Sequence, residues 1–142
     1  MIGYYEEDIL EHLICLEKEY DSLEDILAGK KVMIVLASYG KKFPYGRVHI
    51  GDTVYFTEKD NCGLINSKAV ICNMLCLENV SKEEAAVILV ANKNKLNLTA
   101  SGFNKLIGKK YMLFIEFASI ELIEPICIYK KRDLAAWTVI YT

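Results

Sequence analysis

The stretch from Val32 to Phe56 constrains this chain more than any other. It opens with an unbroken apolar run, Val32 to Ala37, the composition of a strand buried on both faces. It then breaks into a loop carrying Lys41, Lys42, Pro44, Tyr45, Gly46 and Arg47. A Gly51-Asp52 turn leads out of the loop into Thr53-Val54-Tyr55-Phe56, which reads as another strand. Cations and an aromatic ring therefore sit on a loop whose two ends are tied to rigid sheet, the common location of a binding function.

A chain of 142 residues that is 53% hydrophobic is long enough to bury one real core. No repeat, low-complexity tract or linker divides it. It reads as a single domain over 1–142, with 1–11 as an N-terminal extension. The net charge of −2 provides no global positive field, so a nucleic-acid partner would need a local patch. The longest apolar runs, Val32–Ala37 and Ala85–Ala91, fall far short of the roughly 20 residues that span a bilayer, so no membrane partner is expected. Tyr4, Tyr5, Glu6, Glu7 and Asp8 stand where a signal peptide would be basic and then apolar, which gives the expectation of a cytoplasmic protein. The cysteines, Cys15, Cys62, Cys72, Cys76 and Cys127, are odd in number and form no C-x-x-C pair, so reduced thiols explain them. His12 and Cys15 lack two further ligands close in sequence, and neither a metal nor a cofactor is expected.

Along the rest of the chain, residues 4–11 are acidic and suit a short helix. His12 to Leu16 suits either a helix continuing from Ile9 or a buried strand. Asp21 is placed to cap a helix with Glu24 as its capping-box partner, Leu23, Ile26 and Leu27 as the buried face and Gly29 as the stop. Glu58 to Gly63 is a polar turn, and Leu64 to Leu77 a long strand or bent pair. Ser81 with Glu84 forms a second capping box. Asn92 to Lys95 reads as a loop, and Thr99 caps a further short helix reaching Ile107. Tyr111–Phe117 and Ser119–Ile123 read as strand closed by Glu124-Pro125, Ile126–Tyr129 as a last strand, and Trp137–Tyr141 as the tail. Strands at both ends with short helical insertions define an α+β chain built on a small mixed β-barrel.

Lys30, Lys31, Lys41, Lys42 and Arg47 are interleaved with Tyr39, Phe43 and Tyr45, and cations with aromatic faces are what single-stranded nucleic acid requires. The alternative role for these lysines is to solvate the loop while Phe43 and Pro44 pack inward. Lys109-Lys110 and Lys130-Lys131-Arg132 are further basic groups of the kind that solvate strand ends. Nucleophilic catalysis needs an activated residue with a partner base. Cys62 has no histidine near it in sequence, and His49 falls beside a turn. Glu116, between Ile115 and Phe117, is the one carboxylate to consider as a general base.

These features together resemble the ASCH domains of the PUA-like superfamily. The resemblance rests on Gly29-x-Lys31 before the apolar run, Ser38, Pro44-Tyr45-Gly46-Arg47-Val48 and Gly51-Asp52-x-Val-Tyr-Phe56. A late Glu124-Pro125 and the closing Lys131-Arg132-Asp133…Ala136-Trp137 complete it. It implies a small PUA-like mixed β-barrel with short flanking helices, and it implies that His12–Leu16 is the first strand. It further implies association with RNA or a modified nucleotide, or a small amidohydrolase acting on a modified nucleoside. The family pattern continues after Gly-x-Lys with Thr, then Glu and Arg two residues apart. Those positions here hold Val32, Ile34 and Leu36, so the polar pair of the pocket is replaced by aliphatics. The favoured expectation is a non-catalytic RNA- or nucleotide-binding module acting through Lys31, Ser38, Lys41, Lys42, Tyr45, Arg47 and Trp137. An enzyme using Lys31 and Glu116 is the alternative, and a protein-interaction domain with a closed pocket the third reading.

Overall fold

A computed structural model describes residues 11–16, 21–41, 47–58, 64–127 and 137–140. Within them lie six strands, β1 (Glu11–Leu16), β2 (Met33–Ser38), β3 (Thr53–Glu58), β4 (Leu64–Leu77), β5 (Tyr111–Cys127) and β6 (Trp137–Ile140). Four helices accompany them: α1 (Leu23–Leu27), α2 (Lys82–Ala91), α3 (Lys93–Leu96) and α4 (Ala100–Leu106). The strands form one mixed sheet in the order β2-β5-β4-β3-β1-β6, in which only the β1–β3 pair is parallel.

The sheet curls into a half-barrel around an apolar interior. Ile14 and Leu16 from β1, Ile34 from β2, Val54 and Phe56 from β3, and Ile71 from β4 meet Leu113, Ile115 and Phe117 from β5. Phe56 and Phe117 pack tilted, with ring centroids 5.1 Å apart. Leu23 and Ile26 of α1 enter this interior where β2 begins, and Val48 enters it from the segment leading into β3. The other face of β2 and β5 carries Met33, Met112 and Phe114 under Ala85 and Leu89 of α2, Leu96 of α3 and Leu106 of α4. The apolar run therefore does what its composition predicts: successive residues alternate between two buried layers.

Local signals place most helix ends. Ser81 and Glu84 make the reciprocal capping box of α2, and the Thr99 hydroxyl accepts from the Gly102 N–H at the start of α4. The first cap lies one residue later than the sequence indicates. Ser22 accepts from the Asp25 N–H, because the Asp21 carboxylate is drawn to Lys31 at 3.0 Å. Asn92 to Lys95 is not a plain loop. Lys93–Leu96 closes a helical turn anchored by the fully buried Leu96 and ended by Asn97 in the left-handed region, at φ 47°.

The strands differ from expectation at the chain's far end. β5 is one continuous strand that absorbs Ser119, at φ 57°, and Pro125 through register shifts against β4. Proline is tolerated there because β2 pairs with β5 only as far as Glu116, leaving that edge without a demand for an N–H. The last strand is accordingly β6, antiparallel to β1, where the sequence suggested a tail. His12–Leu16 is the strand that the resemblance implied. The expectations for residues 4–10, for the 59–63 turn with Cys62, and for Lys131-Arg132 lie outside the described residues.

Candidate functional site

Three chain segments meet where β2 ends. Ser38 stands opposite Tyr111 in register and Leu77 opposite Met112, so the ends of β2 and β4 and the start of β5 converge. Backbone bonds lock the junction: the Lys110 N–H donates to the Ser38 carbonyl, and the Val80 N–H to the Lys110 carbonyl, both at 3.0 Å. The Ser38 hydroxyl donates to the Gly40 carbonyl at 2.6 Å, which turns the chain outward. Tyr39 is 71% exposed, and the Lys109 ammonium sits 5.1 Å from its ring centroid. Lys41 pairs with Glu78 at 2.7 Å on the exposed side of the same junction. The hydrogen bond to Glu78, aided by its charge, holds Lys41 above the ordinary lysine value. Nearby, burial pushes the Cys76 thiol up, with Glu78 adding to the effect and Lys41 opposing it. Arg47 is exposed, while Lys42 and Tyr45 lie outside the described residues.

The foot of that loop is fixed by a polar contact the sequence did not suggest. His12 is fully buried, and its Nε2 lies 2.8 Å from Oδ2 of Asp52, itself 3% exposed. The same oxygen accepts the His49 N–H at 2.9 Å, and the Asp52 carbonyl accepts the Ile71 N–H at 2.9 Å. Gly51, at φ 99°, makes the tight turn that brings Asp52 under the histidine. A buried carboxylate needs such partners to offset its lost hydration. The residues are forty apart, and the visible hint was a histidine heading an otherwise apolar strand.

The residues at the start of β2 are engaged differently. Lys31 is 1% exposed; its ammonium donates to the Leu96 carbonyl and pairs with Asp21. Ile34 is buried in the interior, and Leu36 packs against the same cluster. Glu116 stands opposite Met33 on the helix-covered face of the sheet, away from the interior, and pairs with Lys95 at 3.1 Å. Lys31 and Glu116 thus have separate partners and share no hydrogen bond. Trp137 enters through its backbone, opposite Ile14 at the start of β6. Among the described residues no group of three or more His, Cys, Asp and Glu side chains is arranged to hold a metal ion. No described helix is long and apolar enough to cross a membrane.

A curled half-barrel with α1 against its interior and α2, α3 and α4 over the outer face of β2 and β5 is an α+β fold, and solved structures share it. The chain superposes on ASCH from Zymomonas mobilis with a TM-score of 0.68 at 11% identity, over 92% of this chain and 87% of that one. A Ser-to-Ala variant of the Zymomonas mobilis protein gives 0.69 at 12% identity over 94% and 90%. A Tyr-to-Phe variant gives 0.60 at 12% over 82% and 74%. The architecture is therefore that of an ASCH domain. No family model and no curated protein matches the sequence.

Proposed function

We propose that this protein is a binding module for single-stranded RNA or a nucleotide, and that it binds at the junction where β2 ends rather than inside the half-barrel. The observation that carries the reading is the exposed Tyr39 ring with Lys109 over it, two residues before the exposed Lys41. A ring face accepts a base of any sequence, and ammonium groups at fixed positions take the flanking phosphates. Lys110, on the segment hydrogen-bonded to Ser38, extends the positive rim, and the exposed Arg47 is assigned to it by its place in the loop sequence. Lys42 and Tyr45 belong to the same proposed surface by sequence. Lys31 is left out of it, since its ammonium is already committed to Asp21 and Leu96. Interior binding is disfavoured by Ile34 and Leu36, which contribute no hydrogen-bonding group to a base edge.

Fluorescence anisotropy with a labelled single-stranded oligoribonucleotide tests the reading. Binding at low salt should weaken steeply with ionic strength, and Lys41→Glu with Lys109→Glu should remove it. Wild-type protein that shows no binding at low salt sinks the proposal. A second reading, a protein-contact surface, is favoured by the exposed apolar side chains Leu64, Leu122 and Ile126 on the paired outer ends of β4 and β5. Loss of a recovered protein partner on Leu122→Asp, with RNA binding intact, would support it.

A further inference from the structure

We propose that a cleft between the sheet and the α2–α3 junction binds a small zwitterion, an α-amino acid with a short aliphatic side chain. The cleft holds about 90 Å³. Its lining includes Met33 and Phe114 from the covered face of the sheet, Asn73 and Glu116 from β4 and β5, Asn92 from the turn between α2 and α3, and Lys95 from α3. The site is independent of the RNA reading.

Its polar groups come as two donors and two acceptors. The Lys95 ammonium lies 3.1 Å from Oε1 of Glu116 and has further N–H groups to give. Asn73 accepts the Met74 N–H through Oδ1, which leaves its NH₂ uncommitted. Asn92 donates its NH₂ to the Ile88 carbonyl, which leaves its Oδ1 uncommitted. A carboxylate matches Lys95 with the Asn73 amide; an ammonium matches Glu116 with the Asn92 oxygen. Neither a plain acid nor a plain amine satisfies both halves.

The arrangement is held by backbone. The Val32 N–H donates to the Lys95 carbonyl and the Phe117 N–H donates to the Val32 carbonyl, both at 2.9 Å. The two charged residues are thereby carried on segments tied through one residue. The register shift between Ile71 and Asn73 sets Asn73 directly opposite Glu116, the way a bulge re-aims a side chain. Opening the ion pair to admit a ligand costs little, because its side chains are 46% and 19% exposed.

Size sets the class. An apolar cavity of about 150 Å³ takes benzene; this cleft is smaller and open to solvent, and the part of it beside Met33 and Phe114 suits a short aliphatic group below the charged rim. That group is the side chain of alanine or valine, with the zwitterionic head between Lys95 and Glu116.

The test is a titration of the ¹⁵N-labelled full chain with L-valine to about 10 mM, enough to fill a site of millimolar affinity. Saturable shifts are expected at Asn73, Asn92, Lys95 and Glu116, including the asparagine side-chain NH₂ signals. Isovalerate and isobutylamine, which each lack one charge, should bind at least about tenfold more weakly. Lys95→Glu should abolish the shifts, and Lys95→Glu with Glu116→Lys should restore them. A flat titration of the folded wild-type protein overturns the proposal, as does isobutylamine binding as well as L-valine.

Discussion

β2 has a lysine beyond each of its ends, each paired with a carboxylate, and the two pairs have opposite characters. Lys31 is 1% exposed, 3.0 Å from Asp21 and also bonded to the Leu96 carbonyl. Lys41 is 59% exposed and 2.7 Å from Glu78. Distance therefore does not distinguish them; desolvation does. A buried ammonium that loses its partner cannot return to water, whereas an exposed one exchanges its carboxylate for water or phosphate at little cost. The first pair locks α1 and α3 to the start of β2, and the second leaves a cation available at the proposed rim.

The largest expected effect follows from that difference. Lys31→Met should lose about 3 kcal/mol, because it leaves the Asp21 carboxylate and the Leu96 carbonyl without their shared donor. Urea denaturation would read this as a lower midpoint at unchanged slope. Rim binding should persist wherever the variant is folded. A variant of full stability that no longer binds RNA would break the comparison by making Lys31 a recognition residue.

His12→Leu comes next, at about 2 kcal/mol, because it leaves the buried Asp52 short of one partner while the His49 N–H bond remains. Its effect should fall on stability rather than affinity, placing the foot of the loop with Lys31. Lys41→Gln and Lys109→Gln should leave stability close to that of the wild type. Each should lower the salt dependence of RNA binding by about one unit of slope. A large stability loss in either variant would erase the contrast between the two ends of β2.

The same contrast explains what could be read from the chain in advance. The Ser81–Glu84 box and the Thr99 cap involve residues three apart, and the apolar run declares its own burial, so both were legible. Asp21 and Ser22 are adjacent residues of cap-forming type. A lysine ten positions away, invisible to a local rule, decides between them. The half-barrel followed from the strand pattern together with the family resemblance, but the unity of β5 did not. Pro125 signals an end unless the reach of β2 is known. At the candidate site the loss is greater. Lys109 looks like an ordinary solvated strand end until folding brings it over Tyr39, seventy residues earlier. The His12–Asp52 contact was hidden in the same way.

A pH-dependent effect lies between these extremes, at a half-buried pair. The Tyr55 hydroxyl donates to the Glu11 carboxylate at 2.7 Å. That hydrogen bond, then burial, then the Glu11 charge push the tyrosine up to about 12. An unfolded tyrosine titrates near 10. Between those values the folded chain keeps a proton that the unfolded chain has lost. The contribution of this bond is thus fully present below about pH 10 and is lost as pH rises toward 12. Lys41, also raised by a carboxylate, weakens folding in the same direction as it deprotonates, but its exposure leaves little to lose. Tyr55→Phe should therefore flatten the alkaline limb of the stability curve, measured by urea midpoints from pH 9 to pH 11. Lys41→Gln should leave that limb nearly unchanged. If Lys41→Gln flattens it more, the exposed pair is holding the fold, and desolvation is the wrong axis on which to separate the two ends of β2.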